Sequence, residues 1–209
     1  MKIDIWSDFV CPFCYIGKRH IEEAAKEIED ITFEYHSYEL DPTAPEKYDG
    51  SIQKYFAEIK GMSAAQADDM IHQVTTMANN AGLDYHYEKV RHGNTVKPHR
   101  LFQYAKTQGK GNEFMEVAKE AYFINGEWLN GDDTLLELAE KIGLDKEAST
   151  KVLQSDDYLE AMRQDIATAQ QIGVQGVPFF VIDGKYGVSG AQPVDTFKQV
   201  LKDVQEQNA

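Results

Sequence analysis

Cysteine is scarce in this 209-residue sequence: there are two, too few to staple a secreted disulfide scaffold. Proline and glycine are scarce too, at 6 and 15, which excludes collagen-like, low-complexity and disordered classes. No run approaches the roughly 20 apolar residues needed to span a bilayer. Positive charge is in deficit, with 21 Lys and Arg against 35 Asp and Glu, for a net charge of −14. That is the wrong sign for gripping nucleic-acid phosphates or an anionic membrane, so neither is expected as a partner. The opening Met1-Lys2-Ile3-Asp4-Ile5-Trp6-Ser7-Asp8 has no apolar h-region and no small-residue cleavage site. It does not read as a signal peptide and, taken as the natural start, it predicts a cytoplasmic protein. What the chain does have is 42% hydrophobic residues, enough for a substantial core. Its length suits one large domain, or a small domain carrying an insertion.

Hydrophobic spacing predicts how that core is assembled. Ile3 and Ile5 alternate with Asp4 and Trp6, a short strand. A helix follows to about residue 29, with Ile21, Ala24, Ala25 and Ile28 on one face. Ile31, Phe33 and Tyr35 alternate with Thr32, Glu34 and His36, a second strand that Asp41-Pro42-Thr43-Ala44-Pro45 closes. From residue 51 to about 173 the spacing is helical. Ser63 with Gln66 predicts a capping box opening a helix to about residue 80. Pro98 suits the first turn of a helix carrying Leu101, Phe102 and Ala105. Asp132 or Asp133, Asp145 and Ser155 are candidate helix caps, with Gly143 and Gly173 as stops. Val177-Pro178-Phe179-Phe180-Val181-Ile182 then reads as a buried strand, Asp183-Gly184 as a type I′ turn, and 186–188 as the returning strand. Pro193 opens an amphipathic helix with Phe197, Val200 and Leu201 on one side. The order is βαβ, a helical block, then ββα.

Both cysteines lie in the loop between the first strand and the first helix, as Cys11-Pro12-Phe13-Cys14. A lone C-x-x-C has three readings: a dithiol–disulfide redox centre, half of a zinc site, or an inert pair. Zinc calls for a second Cys or His pair at ligand spacing. No further cysteine exists, and no two of His20, His36, His72, His86, His92 and His99 stand 3–5 residues apart. Redox chemistry is therefore the favoured reading and no metal is expected. Cys11 falls where the helix N-cap belongs and Pro12 at the first helical position, where its missing N–H costs nothing. Unpaired N–H groups and the helix dipole then favour the Cys11 anion, while Cys14, one turn inside, is more buried and resolves the mixed disulfide. Pro12 and Phe13 tune the centre by offering the thiolate no side-chain donor, which predicts a reduction potential below about −120 mV.

Other residues carry weaker signals. Pro178 ahead of an apolar strand marks a strand entrance or a bend. Lys18, Arg19 and His20 read as a solvated helix face, and Trp6 and Trp128 as packing. Phe9, Val10, Phe13 and Phe179 are candidates for an apolar surface around the thiols, with ordinary core as the competing reading.

The βαβ–ββα frame, with Cys11-Pro12-Phe13-Cys14 at its first helix and Gly176-Val177-Pro178 before its third strand, resembles the thioredoxin fold. The inserted helices resemble those of the DsbA family of thiol–disulfide oxidoreductases. The expected fold is thus α/β, with residues 1–45 and 174–209 forming a thioredoxin-like domain and 46–173 an inserted helical domain. Ser7-Asp8-Phe9-Val10-Cys11-Pro12-Phe13-Cys14-Tyr15-Ile16-Gly17, Gly93-Asn94-Thr95 with His99-Arg100-Leu101, and Gly173-Val174-Gln175-Gly176-Val177-Pro178-Phe179-Phe180-Val181 are similar to the FrnE-type branch, which lacks a signal peptide. That branch is related to 2-hydroxychromene-2-carboxylate isomerases and kappa-class glutathione transferases. The resemblance implies that Cys11 attacks and Cys14 resolves. It also implies a cis Val177–Pro178 bond lying against the cysteines, with the Val177 backbone offered to an extended substrate peptide. It turns the Asn94 segment toward the cleft, making Asn94 a candidate substrate contact. In the isomerase and transferase branches serine typically stands at the position of Cys11; cysteine here favours disulfide chemistry.

The leading expectation is a cytoplasmic thiol–disulfide oxidoreductase exchanging disulfides with protein or small-thiol substrates. It needs no cofactor, and glutathione is a candidate redox partner. Two alternatives stay open: a glutathione-dependent isomerase or transferase acting on a small hydrophobic substrate, and a chaperone-like module that binds polypeptide in the cleft. The direction of exchange and the oligomeric state are not written in these residues.

Overall fold

A computed structural model describes residues 1–208. The chain opens β1 (Lys2–Ser7), α1 (Pro12–Ala25), β2 (Thr32–Ser37). Seven helices follow: α2 (Ile52–Glu58), α3 (Ala64–Asn80), α4 (Val96–Thr107), α5 (Gly111–Phe123), α6 (Asp132–Lys141), α7 (Lys146–Leu153) and α8 (Leu159–Gln171). It closes β3 (Phe179–Ile182), β4 (Tyr186–Ser189), α9 (Val194–Asn208). The fold is α/β, with the helical block between the two halves of a thioredoxin-like frame.

The sheet order is β2-β1-β3-β4. β1 and β2 run parallel, so the crossover between them must leave the sheet, and α1 supplies it. β3 runs antiparallel to β1, pairing Ile3 with Ile182 and Ile5 with Phe180. The hairpin from β3 to β4 turns on Asp183 and Gly184, both in the left-handed region at φ 48° and 68°, the geometry a type I′ turn requires. Ile3, Ile5, Phe9, Phe102, Phe114, Phe180 and Phe197 belong to one continuous buried cluster, so the sheet and the inserted helices share a core.

Within the helical block the polar punctuation does its local work. Ser63 Oγ accepts from the Gln66 N–H at 3.2 Å while Gln66 Oε1 accepts from the Ser63 N–H at 2.9 Å, a complete capping box on α3. Asp145 caps α7 by accepting from the Ala148 N–H at 2.7 Å. Ser155 does not cap α8. Its hydroxyl accepts from the Asp157 N–H at 3.1 Å, and the helix starts only after Tyr158, which sits at φ 64°. Arg100 explains that corner: buried on α4, its guanidinium donates to the carbonyl oxygens of Val152, Ser155 and Asp157, using up the acceptors a continued helix would need. α1 ends at Ala25, earlier than the spacing predicts, because the chain must turn at Asp30, φ 59°, to lay the Thr32 N–H on the Met1 carbonyl.

α1 is also tied to α5 by charge. Glu116 accepts from Tyr15 Oη at 2.7 Å and pairs with Lys18 Nζ at 2.6 Å and with both ends of the Arg19 guanidinium. Lys18 is buried, so this stretch is no solvated face, contrary to the sequence expectation. Burial works against the Glu116 anion, but the Arg19 and Lys18 hydrogen bonds win and bring its carboxyl from 4.5 to about 2. A carboxyl lowered on folding stabilises above its unfolded pKa, and that contribution disappears as pH falls through the folded value. Glu116→Gln should therefore cost about 1–2 kcal/mol near neutral pH, after allowing for partial solvent screening. The gap between the two proteins in chemical denaturation should close between pH 4.5 and about 2; an unchanged gap at low pH would show that packing, not charge, joins these helices.

Candidate active site

Cys11 is the N-cap of α1, in extended conformation at φ −81° and ψ 112°, with Pro12 opening the helix. The Cys14 N–H donates to the Cys11 carbonyl at 3.1 Å, which closes the first turn and brings the second sulfur beneath the first. Both thiols are free, and each side chain shifts the ionisation of the other. Cys11 Sγ also donates to the Val177 carbonyl at 3.4 Å. The Val177–Pro178 peptide is cis, and Pro178 accepts the Gly190 N–H at 2.8 Å as the chain enters β3. Among the described residues the Val177 N–H has no acceptor. Gly17 on α1 lets this loop approach: a Cβ there would lie 3.0 Å from Pro178 Cγ and 3.3 Å from Phe180 Cζ.

The sulfurs are more enclosed than an exposed helix N-terminus implies. Cys11 is 1% exposed and Cys14 2%. Burial, together with its hydrogen bond to Cys14, pushes the Cys11 thiol well above the ordinary thiol range. The helix N-terminus therefore does not deliver a resting Cys11 anion. Burial opposes the Cys14 anion as well. There, however, the Cys11 side chain, the nearby Lys119 ammonium and a hydrogen bond from the Asp8 backbone together bring it below the ordinary range. The two thiols titrate as a coupled pair, with ionisation favoured at Cys14 over Cys11.

Four buried polar side chains brace this arrangement. Asp8, 1% exposed, accepts from the N–H groups of Phe9 and Leu40 at 2.7 Å each and from His99 Nε2 at 3.1 Å. The same His99 nitrogen faces the Tyr38 carbonyl at 3.0 Å; both neighbours are acceptors, so the ring proton is on Nε2. Burial would raise the Asp8 carboxyl, but the His99 hydrogen bond and charge hold it below its usual range. Lys119, on α5 and fully buried, donates to the Asp8 carbonyl at 2.6 Å, with its ammonium 5.4 Å above the Phe9 ring centroid. Tyr85 Oη donates to the Pro12 carbonyl at 2.8 Å and stacks on Phe123 at 4.5 Å, walling the site from behind.

In front of Cys11 lies a cavity of about 260 Å³ lined mainly by Val10, Pro12, Phe13, Leu40, Phe56, Met70, Val74 and Val177, with Asp41, Tyr55, Lys60, Tyr87 and His92 also on its wall. His92 is buried and its imidazole lowered to about 4 by desolvation, so the ring is neutral. Phe13 and Leu40 are 38% and 45% exposed. Cys11 and Val177 line this cavity; Asn94 does not. Asn94 Oδ1 accepts from the Val96 N–H at 3.3 Å, and its carbonyl accepts from Asn130 Nδ2 at 2.7 Å, bracing the loop before α4 beside a separate small recess. Phe179 packs with Trp6, Val174 and Val181 on the other side of the sheet edge.

Among the described residues Asp4, Glu34 and His36 alone lie close enough together to share a metal. Lys2 already occupies that cluster, 2.9 Å from Asp4 and 2.6 Å from Glu34, and it belongs to the β1–β2 surface rather than to the thiols. Sequence reasoning missed Lys119, Asp8 and His99 as parts of the site. The available signal was a lysine within the apolar spacing Met115, Ala118, Tyr122 of α5, where a charge has to be met by something.

Comparison with known proteins follows the whole length of the chain. The model for the DSBA-like thioredoxin domain family matches residues 2–202. A crystal structure described as a probable DsbA oxidoreductase from Streptomyces coelicolor is similar at TM-score 0.93 and 34% identity, over 99% of this chain and 90% of that one. The Bacillus subtilis protein YwbO is 28% identical over 99% of this chain and 98% of its own. The cytosolic disulfide reductase DsbM from Pseudomonas aeruginosa, in a structure with GSH, shares the fold at TM-score 0.70 and 18% identity, over 99% of this chain and 100% of that one.

Asp8→Ala should lower unfolding stability by about 3 kcal/mol, since it strands two buried N–H donors and the His99 ring. It should also loosen the loop carrying Cys11, read as faster hydrogen exchange at Phe9 and Leu40. Stability within a few tenths of the parent would mean that these bonds form equally well to water.

Proposed function

The chain belongs to the DSBA-like thioredoxin domain family, and on that premise we propose that it is a thiol–disulfide oxidoreductase working through Cys11 and Cys14. Its substrates are protein disulfides or small thiols, glutathione among them. The observation that carries this reading is a pair of free thiols one turn apart at a helix N-terminus, one of which lines a cavity and touches the cis-proline loop. We propose the cytosol as its compartment, since the Pseudomonas relative is described as cytosolic.

In the reducing direction Cys11 reacts first, because it is the sulfur that lines the cavity. As a substrate disulfide arrives, the Cys11 proton passes to the Cys14 thiolate. The Cys11 anion then attacks one substrate sulfur, the substrate S–S bond breaks, and a substrate thiolate leaves. Cys14 next gives its proton to that thiolate and attacks Cys11 Sγ, forming the Cys11–Cys14 disulfide and freeing the second substrate sulfur. Two electrons move from the cysteine pair to the substrate, and the same steps reversed oxidise a dithiol. The open Val177 N–H suits main-chain pairing with an extended substrate, which recognises peptide with little regard to sequence. Access to a sulfur this enclosed is governed by Phe13 and Leu40, the exposed apolar side chains on the cavity wall.

Pro12 and Phe13 act on poise through what they withhold, since neither presents a polar side chain to the sulfurs. The apolar lining of the cavity also suits the second reading, a glutathione-dependent isomerase or transferase with a small hydrophobic substrate.

Single-cysteine variants separate the two readings. Cys14→Ser should accumulate a mixed disulfide on Cys11 with glutathione disulfide or a peptide disulfide, seen as an adduct by intact mass, and lose turnover. Cys11→Ser should form no adduct. Undiminished turnover of a small electrophile with glutathione in Cys14→Ser would instead select the isomerase or transferase reading. If both variants suppress aggregation of a test polypeptide as well as the parent and the parent exchanges no disulfide, the protein is a binding module. Separately, Phe13→Ala should speed alkylation of Cys11 by a bulky maleimide several-fold; an unchanged rate would remove Phe13 from the access route.

A further inference from the structure

We infer that Lys119 is the positioned counter-charge of the Cys11–Cys14 thiolate and raises the oxidising strength of the pair, an inference that rests on the thiol–disulfide reading. The argument begins with what Lys119 lacks. Its side chain is fully buried, and among the described residues its ammonium makes one hydrogen bond, to the Asp8 carbonyl at 2.6 Å, with the Phe9 ring face as its other polar neighbour. No carboxylate within salt-bridge distance neutralises it among the described residues. The Asp8 carboxylate is already held by two N–H groups and His99. An ammonium left in that state is costly, and a buried lysine persists where a negative charge meets it.

The groups that face Lys119 are Cys14, Cys11 and Asp8 from the segment between β1 and the first turns of α1, with Lys18 farther along that helix. Asp8 also favours the ammonium, but less than either sulfur does, which leaves the thiol pair as the larger partner. Both sulfurs feel the Lys119 charge in the sense that favours their anions. The inserted helices therefore contribute directly to the chemistry, since α5 delivers a cation to sulfurs carried by the thioredoxin-like frame.

The redox consequence follows from charge balance. In the state we infer, the reduced pair holds one proton and one negative charge, the latter facing Lys119. Oxidation by a substrate disulfide transfers two electrons to the substrate. The remaining thiol proton goes to one substrate sulfur, and the other substrate sulfur departs as thiolate. Lys119 keeps its proton but loses its counter-charge, so the disulfide form carries an uncompensated buried cation. The reduced form is favoured, and the pair is the stronger oxidant for it.

Lys119→Met keeps the length and apolar stem of the side chain while deleting the charge. In that variant the thiolate absorbance should appear about tenfold less readily near neutral pH, a shift of about one pH unit. The equilibrium constant with glutathione should move about tenfold toward the Cys11–Cys14 disulfide, equivalent to about 30 mV. A folded variant with the parent's thiol titration and the parent's equilibrium would reduce Lys119 to a strut for the Asp8 carbonyl and overturn the inference. Should the methionine variant not fold, Lys119→Gln and the parent itself supply the test. The parent's potential should follow one proton per two electrons around neutral pH, and a two-proton dependence there would show that no thiolate exists for Lys119 to meet. If the parent forms no Cys11–Cys14 disulfide in glutathione buffers at all, it is the oxidoreductase reading that fails, ahead of any role for Lys119.

Discussion

Enclosing two thiols at the head of a helix restricts everything around them. A sulfur in contact with water can ionise freely; one sealed at 1–2% exposure needs its anion stabilised by neighbours fixed in place. Here the neighbours are each other, the Asp8 backbone and the Lys119 ammonium. The surrounding wall is accordingly either apolar or strictly paired: Phe9 and Tyr85 on one side, Asp8 with His99 on the other. The charged side chains nearest the sulfurs are held by hydrogen bonds, and so their positions do not wander with solvent.

The architecture assigns separate tasks to its two parts. The thioredoxin-like frame carries the sulfurs and the cis-proline loop, with Gly17 giving the clearance that lets the loop lie on α1. The inserted helices supply the lid residues Phe56, Met70 and Val74, the back wall through Tyr85 and Phe123, and the cation through α5. Glu116, on that same helix, clamps α1 through Lys18, Arg19 and Tyr15. One helix thus both fixes the bearing of the cysteine helix and sets a buried ammonium on the Asp8 carbonyl.

Much of this was readable from the residues in order. Strand alternation, the Ser63–Gln66 capping box and the Asp183-Gly184 turn are local signals, and local physics determines them. Long-range pairing is where reading by spacing ran short. Ser155 looks like a helix cap until Arg100, far away in the sequence, takes the carbonyls that helix would use. Lys18 and Arg19 look solvated until Glu116 arrives from another helix. Asn94 is drawn into bracing its own loop by Asn130. The same holds for the thiols: the helix N-terminus is visible in the sequence, whereas the burial that opposes the Cys11 anion is a property of the assembled core.

The sheet register bears on how the protein is made. β1 occupies the middle of the sheet, but one of its two partners is β3, so Ile3 waits for Ile182 and Cys11 for the Val177 carbonyl. During synthesis the two thiols leave the ribosome well before the loop that will shelter them has been translated. Through that interval they are ordinary, water-exposed cysteines, open to any oxidant or electrophile and lacking the shielding of the finished protein. A newborn chain therefore leaves open, for that interval, the two sulfurs that the finished protein encloses.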